Sequence, residues 1–436
     1  MTRNIPICAA VLILLCAIVG CAVNPVTGKK QFTLVSESQE VAIGDEQYPI
    51  MTQVSGGLFQ DEELQAYVNE VGQKLAKVSH RPELKYQFNV VNSSELNAYA
   101  LPGGKISITR GLLTRMDNEA ELAGVLGHEI GHVTARHVST ALTRQLTAQL
   151  VMAAMTTYLK EKEVKYGEYY SLAGLLATQL MMLKFSRSQE YQADELGIQY
   201  MAKLNYNTEG YVQLLELLQS TYSREPTFVE GWMSSHPLTR DRIETAKSQI
   251  AQSGSTSADK TFNEAGFKRR IKILRQAEPA YKHYDQAEKM MAEGKIPPAI
   301  VEYKKAIEIA PNQAIFYSDL AFAYFKSNQL KESQVNIDKA LKLYPDLFHS
   351  QFYSGLIYFH AKDYRRSLAS FDVADKLIPS QPSVKLNQGM CYENLKNTEM
   401  AVKKYQEVLT LANEGEIAQK AQERLNALGY SEEPQK

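Results

Sequence analysis

Between residues 280 and 415 this 436-residue chain repeats itself every 34 positions. Pro311, Pro345 and Pro379 stand at that interval, as do Ala306, Ala340 and Ala374. Tyr303, Ile337, Phe371 and Tyr405 continue it, and so do Tyr324, Tyr358 and Tyr392. A period of this length, with a small residue where two helices cross and a proline closing the unit, describes a helix pair that buries its apolar face only against the next pair. The region is therefore predicted as an all-α solenoid of four units, 280–313, 314–347, 348–381 and 382–415, with residues 416–428 as a capping helix. In the fourth unit Val408 and Asn413 replace the alanine and proline, a departure common in terminal repeats.

The run Gly127-His128-Glu129-Ile130-Gly131-His132 reads H-E-x-x-H, a zinc hydrolase signature. Residues four apart lie one turn apart on nearly the same helix face, so both imidazoles reach one ion while Glu129 projects beside them. The helix is predicted to start at Asn118, with Glu121 three residues on in capping-box relation. Gly124, Gly127 and Gly131 line one stripe of it, each at roughly 1 kcal/mol of helix propensity relative to alanine. Another segment is expected to press close to the backbone there.

A hydrolytic zinc site takes three protein ligands and keeps a fourth position for water. His137 comes one residue too early for the H-E-x-x-H-x-x-G-x-x-H arrangement, and Ala135 stands where that pattern needs glycine. The better third ligand is Glu190, in Ser186-Arg187-Ser188-Gln189-Glu190-Tyr191-Gln192-Ala193-Asp194. On a helix Glu190 shares a face with Asp194, which is placed to accept the free ring N–H of a zinc-bound histidine. Glu129 is then the general base, and one Zn2+ per chain is expected. Alternation over residues 85–91 and 104–109 predicts two strands ahead of the motif helix. The fold class is mostly α: an α+β unit with a small sheet and the H-E-x-x-H helix, followed by the all-α solenoid.

A net charge of −1 offers no basic field for nucleic acid, which leaves proteins or peptides as partners. Arg3 precedes an apolar stretch, residues 5–19, too short for a comfortable membrane span, and Ile18-Val19-Gly20-Cys21 ends it. That ending resembles the lipobox of bacterial lipoproteins, in which Cys21 would be the lipidated first residue. Ala22 in place of aspartate points to the outer membrane, with the soluble periplasm as the alternative address. Cys8 and Cys16 would leave with the signal, so Cys391, a buried repeat-core residue, remains the one thiol and no intrachain disulfide forms. The expected organisation is a signal over 1–20, a metallopeptidase domain over 21–250, a linker over 251–278 and the repeats over 279–430. Two apolar segments, 141–159 and 171–185, are interrupted by polar residues and read as an amphipathic hairpin rather than membrane spans. The basic run Lys268-Arg269-Arg270 reads as a solvated helix face.

Asn97-Ala98-Tyr99-Ala100-Leu101-Pro102-Gly103-Gly104, the H-E-x-x-H run, Glu190 to Asp194, and Ser235-His236-Pro237 with Arg242 stand in the order seen in the gluzincin peptidases that include HtpX and the CAAX prenyl proteases. The chain resembles them in this catalytic core. With the lipobox in front and units similar to tetratricopeptide repeats behind, the whole chain resembles the periplasmic BepA-type proteases of outer-membrane protein quality control. The resemblance implies a zinc endopeptidase acting on misfolded or misassembled outer-membrane proteins, whose repeats bind substrate or the assembly machinery. It also implies that Gly104, Lys105, Ile106, Ser107, Ile108 and Thr109 form an edge strand above the zinc, where an extended substrate adds by backbone pairing. His236 would either stabilise the oxyanion or occupy the fourth zinc position and hold the enzyme latent, and Arg242 would support the site electrostatically. A reading of another class is a tetratricopeptide chaperone or assembly adaptor with a latent or structural zinc.

Overall fold

The computed structural model describes residues 21–147, 180, 183–224, 232, 235–238, 240–253, 260–412 and 414–430. The expected signal, and most of the apolar segments at 141–159 and 171–185, lie outside them. The described residues divide into two units: those within Met1–Tyr48, Asp61–Val164 and Gln179–Lys272, and those within Pro49–Gln60 and Ile273–Lys436. Among the described residues no helix is long and apolar enough to cross a membrane.

In the first unit a hairpin of β1 (Cys21–Val23) and β2 (Lys30–Phe32) precedes the helices α1 (Glu37–Val54), which belongs to this unit as far as Tyr48, and α2 (Glu62–Lys77). β3 (Gln87–Val91) and β5 (Lys105–Thr109), the two strands expected from alternation, run parallel with Gln87 beside Lys105. β4 (Ala98–Leu101) turns back through Pro102, Gly103 and Gly104 to pair antiparallel with β5, so the sheet order is β3-β5-β4. Gly103 and Gly104 hold φ of +74° and +85°, a left-handed pair that suits glycine at a turn this tight.

That order corrects one expectation. Gly104 to Thr109 do not form an edge strand: Gly104 belongs to the turn, and β5 is paired on both sides and buried along its whole length. Its backbone groups are already used. The open edge beside the motif helix belongs to β4, which pairs with β5 alone among the described strands. Alternation marks a segment as a strand but carries no information about its neighbours.

α3 (Arg110–Arg115) leads to the motif helix α4 (Glu119–Thr134), every residue of which is buried. Asn118 caps it by accepting from the Glu121 N–H at 3.0 Å. α5 (Arg187–Lys203) opens with a capping box between Ser186 and Gln189 and crosses α4 at the glycine stripe. A Cβ on Gly127 would stand 3.1 Å from Gly197 Cα, and one on Gly131 would stand 3.0 Å from Ala193 Cα. The two backbones touch there, which accounts for glycine at 127 and 131. Gly124 meets Tyr211 of α6 (Glu209–Arg224) instead.

α7 (Arg240–Ser253) and α8 (Glu264–Arg270) complete the unit. Much of the expected linker is thus ordered. The Phe262 carbonyl accepts from the Glu119 and Ala120 N–H groups at 3.0 and 3.4 Å, satisfying donors that the first turn of α4 would leave unpaired. Phe267 is buried beneath α8 while Lys268, Arg269 and Arg270 face solvent, as the basic run suggested.

The second unit carries the repeat helices: α9 (Lys272–Ala292), α10 (Ile296–Ile309), α11 (Ala314–Lys326), α12 (Leu330–Leu343), α13 (Phe348–His360), α14 (Tyr364–Leu377), α15 (Pro382–Asn394), α16 (Thr398–Leu411) and the capping α17 (Glu416–Ala427). Ala306, Ala340 and Ala374 are fully buried, as the helix crossings require. Each pair turns through one left-handed residue, and these too keep the period: Gly294, Asn328, Lys362 and Lys396, at φ between +61° and +73°. Only the first is glycine. Cys391 is buried in the repeat core, where desolvation pushes its thiol up to about 11.

Candidate metal centre

The close crossing of α4 and α5 sets two histidines opposite two carboxylates. His128 Nε2 lies 3.0 Å from His132 Nε2, and Glu190 approaches them at 3.7 and 3.4 Å. His236 joins the group, its Nδ1 3.3 Å from His128 Nε2 and 3.1 Å from Glu190 Oε1. These four residues form the one His/Cys/Asp/Glu cluster among the described residues able to hold a metal ion. None is more than 2% exposed.

The donor set fits a metal. Ligands at about 2.0–2.1 Å in tetrahedral geometry stand about 3.3–3.4 Å from one another, in the middle of the separations seen here. His128 and His132 also have their other ring nitrogen engaged, which turns a lone pair toward the shared centre. His128 Nδ1 lies 2.9 Å from Asp194 Oδ1, so it is the N–H that donates to the carboxylate. His132 Nδ1 lies 3.1 Å from His137 Nδ1, whose far nitrogen is 2.9 Å from Gln192 Oε1. Burial pushes the His137 imidazole down to about 4, so at neutral pH it is uncharged and presents one acceptor and one donor.

Asp194 is itself held on three sides. Tyr211 donates its hydroxyl to Oδ1 at 2.5 Å, and Arg242 reaches Oδ2 through Nε at 2.9 Å and Oδ1 through Nη2 at 2.6 Å. The same guanidinium places Nη1 2.7 Å from Glu190 Oε2. Arg242 thus bridges the two carboxylates of α5. Burial favours their neutral forms, but His236 and His132 hold Glu190 well below the usual carboxylate range, and Arg242 with His128 holds Asp194 below it.

Glu129 projects into the same space, 1% exposed, with Oε1 accepting no hydrogen bond and His236 Nε2 3.8 Å away. The Ala100 N–H of the open strand β4 donates to its carboxylate, and burial raises its pKa against the pull of His236 and His128. Aromatic rings wall the centre. Phe185 lies 4.0 Å from the His132 ring, and Trp232 stacks on His236 at 4.5 Å.

His128, Glu129, His132, Glu190, Asp194, His236 and Arg242, all singled out in the sequence, come together at this centre, while Cys21 and residues 104–109 do not line it. His137, Gln192, Tyr211, Phe185 and Trp232 were not foreseen in it. The spacing of His137 excludes it as a motif ligand, and Gln192 lies about 200° around the helix from Glu190, off the face that the carboxylate pair defines.

Residues 62–250 match the model of Peptidase family M48. Residues 287–328 and 382–414 match tetratricopeptide repeat models. Among relatives, the Beta-barrel assembly-enhancing protease of Escherichia coli (strain K12) is 30% identical over 233 residues, which are 52% of this chain and 47% of that protein. The Mitochondrial metalloendopeptidase OMA1 of Schizosaccharomyces pombe (strain 972 / ATCC 24843) is 26% identical over 223 residues, 50% of this chain and 63% of that one. Metalloprotease YcaL of Escherichia coli (strain K12) is 27% identical over 188 residues, 42% and 71% respectively. The chain spans about half the length of the beta-barrel assembly-enhancing proteases it matches. Residues 62–250 are thus similar throughout to Peptidase family M48 and are followed by tetratricopeptide repeats, in a chain that resembles the beta-barrel assembly-enhancing metalloproteases.

Proposed function

We propose that the chain is a zinc endopeptidase of the bacterial periplasm, anchored to the outer membrane through Cys21, that cleaves misfolded or misassembled outer-membrane proteins. Its repeats bind those substrates or the machinery that assembles them. One observation carries the catalytic part: a buried carboxylate, Glu129, stands with a free oxygen beside a cluster of two imidazoles and Glu190 at ligand spacing. His128, His132 and Glu190 would hold a zinc ion, whose chemistry when bound would be Lewis acidity toward a water and the scissile carbonyl. Glu129 would take a proton from the attacking water and hand it to the leaving amine. Asp194 fixes the tautomer of His128, and Arg242 fixes Asp194.

The open edge of β4 is the place for an extended substrate, since an added strand there lies beside Glu129. The test of the whole reading is metal analysis joined to degradation of an unfolded β-barrel protein. One zinc per chain and activity lost to a chelator and restored by zinc are expected; metal-independent cleavage overturns it.

His132 is held by the pair His137 and Gln192. His137→Phe removes the acceptor for the His132 N–H and is expected to lower zinc affinity by about 10–100-fold in chelator competition. His137→Gln keeps an acceptor and loses less. Equal losses in the two variants would mean that His137 serves only to fill space.

His236 Nδ1 stands at ligand spacing from His128 and Glu190, which supports the latent state, in which it takes the fourth position. The same closure favours the adaptor reading with a structural zinc, since such sites use four protein ligands. His236→Ala separates the two. Latency predicts turnover raised by about tenfold for a closing preference of ~1.4 kcal/mol, read as initial rate on an unfolded substrate. The adaptor reading predicts no turnover in either form and looser metal.

A further inference from the structure

The hairpin β1–β2 sits where the lipid anchor would begin. Its register sets Cys21 opposite Phe32 and Val23 opposite Lys30, so Val23, Lys30 and Phe32 share one face of the ribbon. On that face Val23 is 56% and Phe32 46% exposed, and Lys30 is exposed with its neighbour Lys29. Ala22 and Gln31, on the opposite face, are half-buried.

This hairpin is no loose tether. Asn24 Oδ1 accepts from the Val26 and Thr27 N–H groups at 2.9 and 3.1 Å, tightening the turn, while Nδ2 donates to the carbonyl of Ala135 at 3.0 Å. Ala135 is the residue that ends α4, three positions beyond His132. On the exit side, Thr143 Oγ1 accepts from the Leu34 N–H at 3.0 Å and lies 3.2 Å from Thr33 Oγ1. Both ends of the ribbon are therefore bound to the chain that leaves the motif helix. Three strand residues span roughly 10 Å, so Cys21 is that close to the Asn24 contact.

We propose that this face is a membrane-contact surface, with Val23 and Phe32 seated at the interface of a phospholipid bilayer and Lys29 and Lys30 against its anionic headgroups. It rests on the reading of Cys21 as the acylated residue. The acyl chains supply the binding; the ribbon sets the orientation. A glycine- or serine-rich leader after the cysteine would let the domain wander. Here the anchor and the metal-site helix share one rigid connection, and the catalytic unit lies directly on the membrane surface.

The test uses the full lipidated chain, purified from bacterial membranes and placed on vesicles of phosphatidylethanolamine and phosphatidylglycerol containing a dibrominated phospholipid. Mass spectrometry first establishes whether Cys21 is acylated. Phe32→Trp adds a fluorophore on the exposed face, and Tyr222→Trp adds one at an exposed aromatic position of the same unit. The native Trp232, fully buried, provides the background. Bromolipid quenching several-fold greater in Phe32→Trp than in Tyr222→Trp is expected. Equal quenching in an acylated chain overturns the proposal alone, whereas an unacylated Cys21 overturns the anchor and the proposal together.

Discussion

Glu129→Gln should bind zinc as the wild type does and lose peptide hydrolysis by about 10²–10⁴-fold, the usual contribution of a positioned general base. The substitution is nearly isosteric, and its amide oxygen still accepts from the Ala100 N–H that holds the native carboxylate. Only the capacity to take a proton is removed. His128, His132 and Glu190 are untouched, so zinc content should stay at one per chain. Cleavage of an unfolded β-barrel protein reads the rate, and elemental analysis reads the metal. A variant as fast as the wild type would remove Glu129 as the base. Restoration of outer-membrane assembly by an inactive Glu129→Gln chain would give the repeats an adaptor role of their own.

Arg242→Met should destabilise the metal-free first unit by about 3–5 kcal/mol, because it leaves two buried carboxylates without their shared cation. The side chain is 2% exposed and is paired to both Glu190 and Asp194, so solvent cannot replace it. Methionine keeps most of the apolar stem, which isolates the charge. The midpoint of urea unfolding, followed through Trp232, reads this unit, since that is the chain's single tryptophan and it stacks on His236. An unchanged midpoint would reduce Arg242 to a helix-surface residue. The pH dependence has a definite sign. Burial raises the Asp194 pKa, but Arg242 and His128 outweigh it and depress the folded value. The stability this contributes is present above the unfolded pKa of about 3.9 and is lost as pH falls through the lower folded value. In Arg242→Met that acid-side loss should shrink.

Local features of the chain are legible in its sequence. The cap at Asn118, the four-residue spacing of His128 and His132, the shared face of Glu190 and Asp194 and the 34-residue period are all helix periodicities, and helices are set by neighbours in sequence. The glycine stripe announced a close approach, though not its partner. What could not be read were relations between segments. Alternation in β5 does not reveal that β4 folds back on it through Gly103 and Gly104, so an edge position could not be told from a central one. The stretch around Phe262 reads as linker in sequence because its role, capping α4 at Glu119, depends on a helix 143 residues earlier in the chain.

By itself the sequence determined the motif helix, the strands over residues 85–91 and 104–109, the repeat architecture and the candidate set His128, Glu129, His132, Glu190 and Asp194, since each depends on side-chain type at short, periodic spacing. Tertiary structure alone decided how those residues are used. It placed Asp194 on His128 and the His137–Gln192 pair on His132, bridged Glu190 to Asp194 through Arg242, and brought His236 within ligand distance from more than 100 residues away. It also laid β4 beside Glu129. Such contacts rest on the packing of α4 against α5, where glycine lets two backbones meet, and packing of distant segments leaves no periodic trace in a single chain.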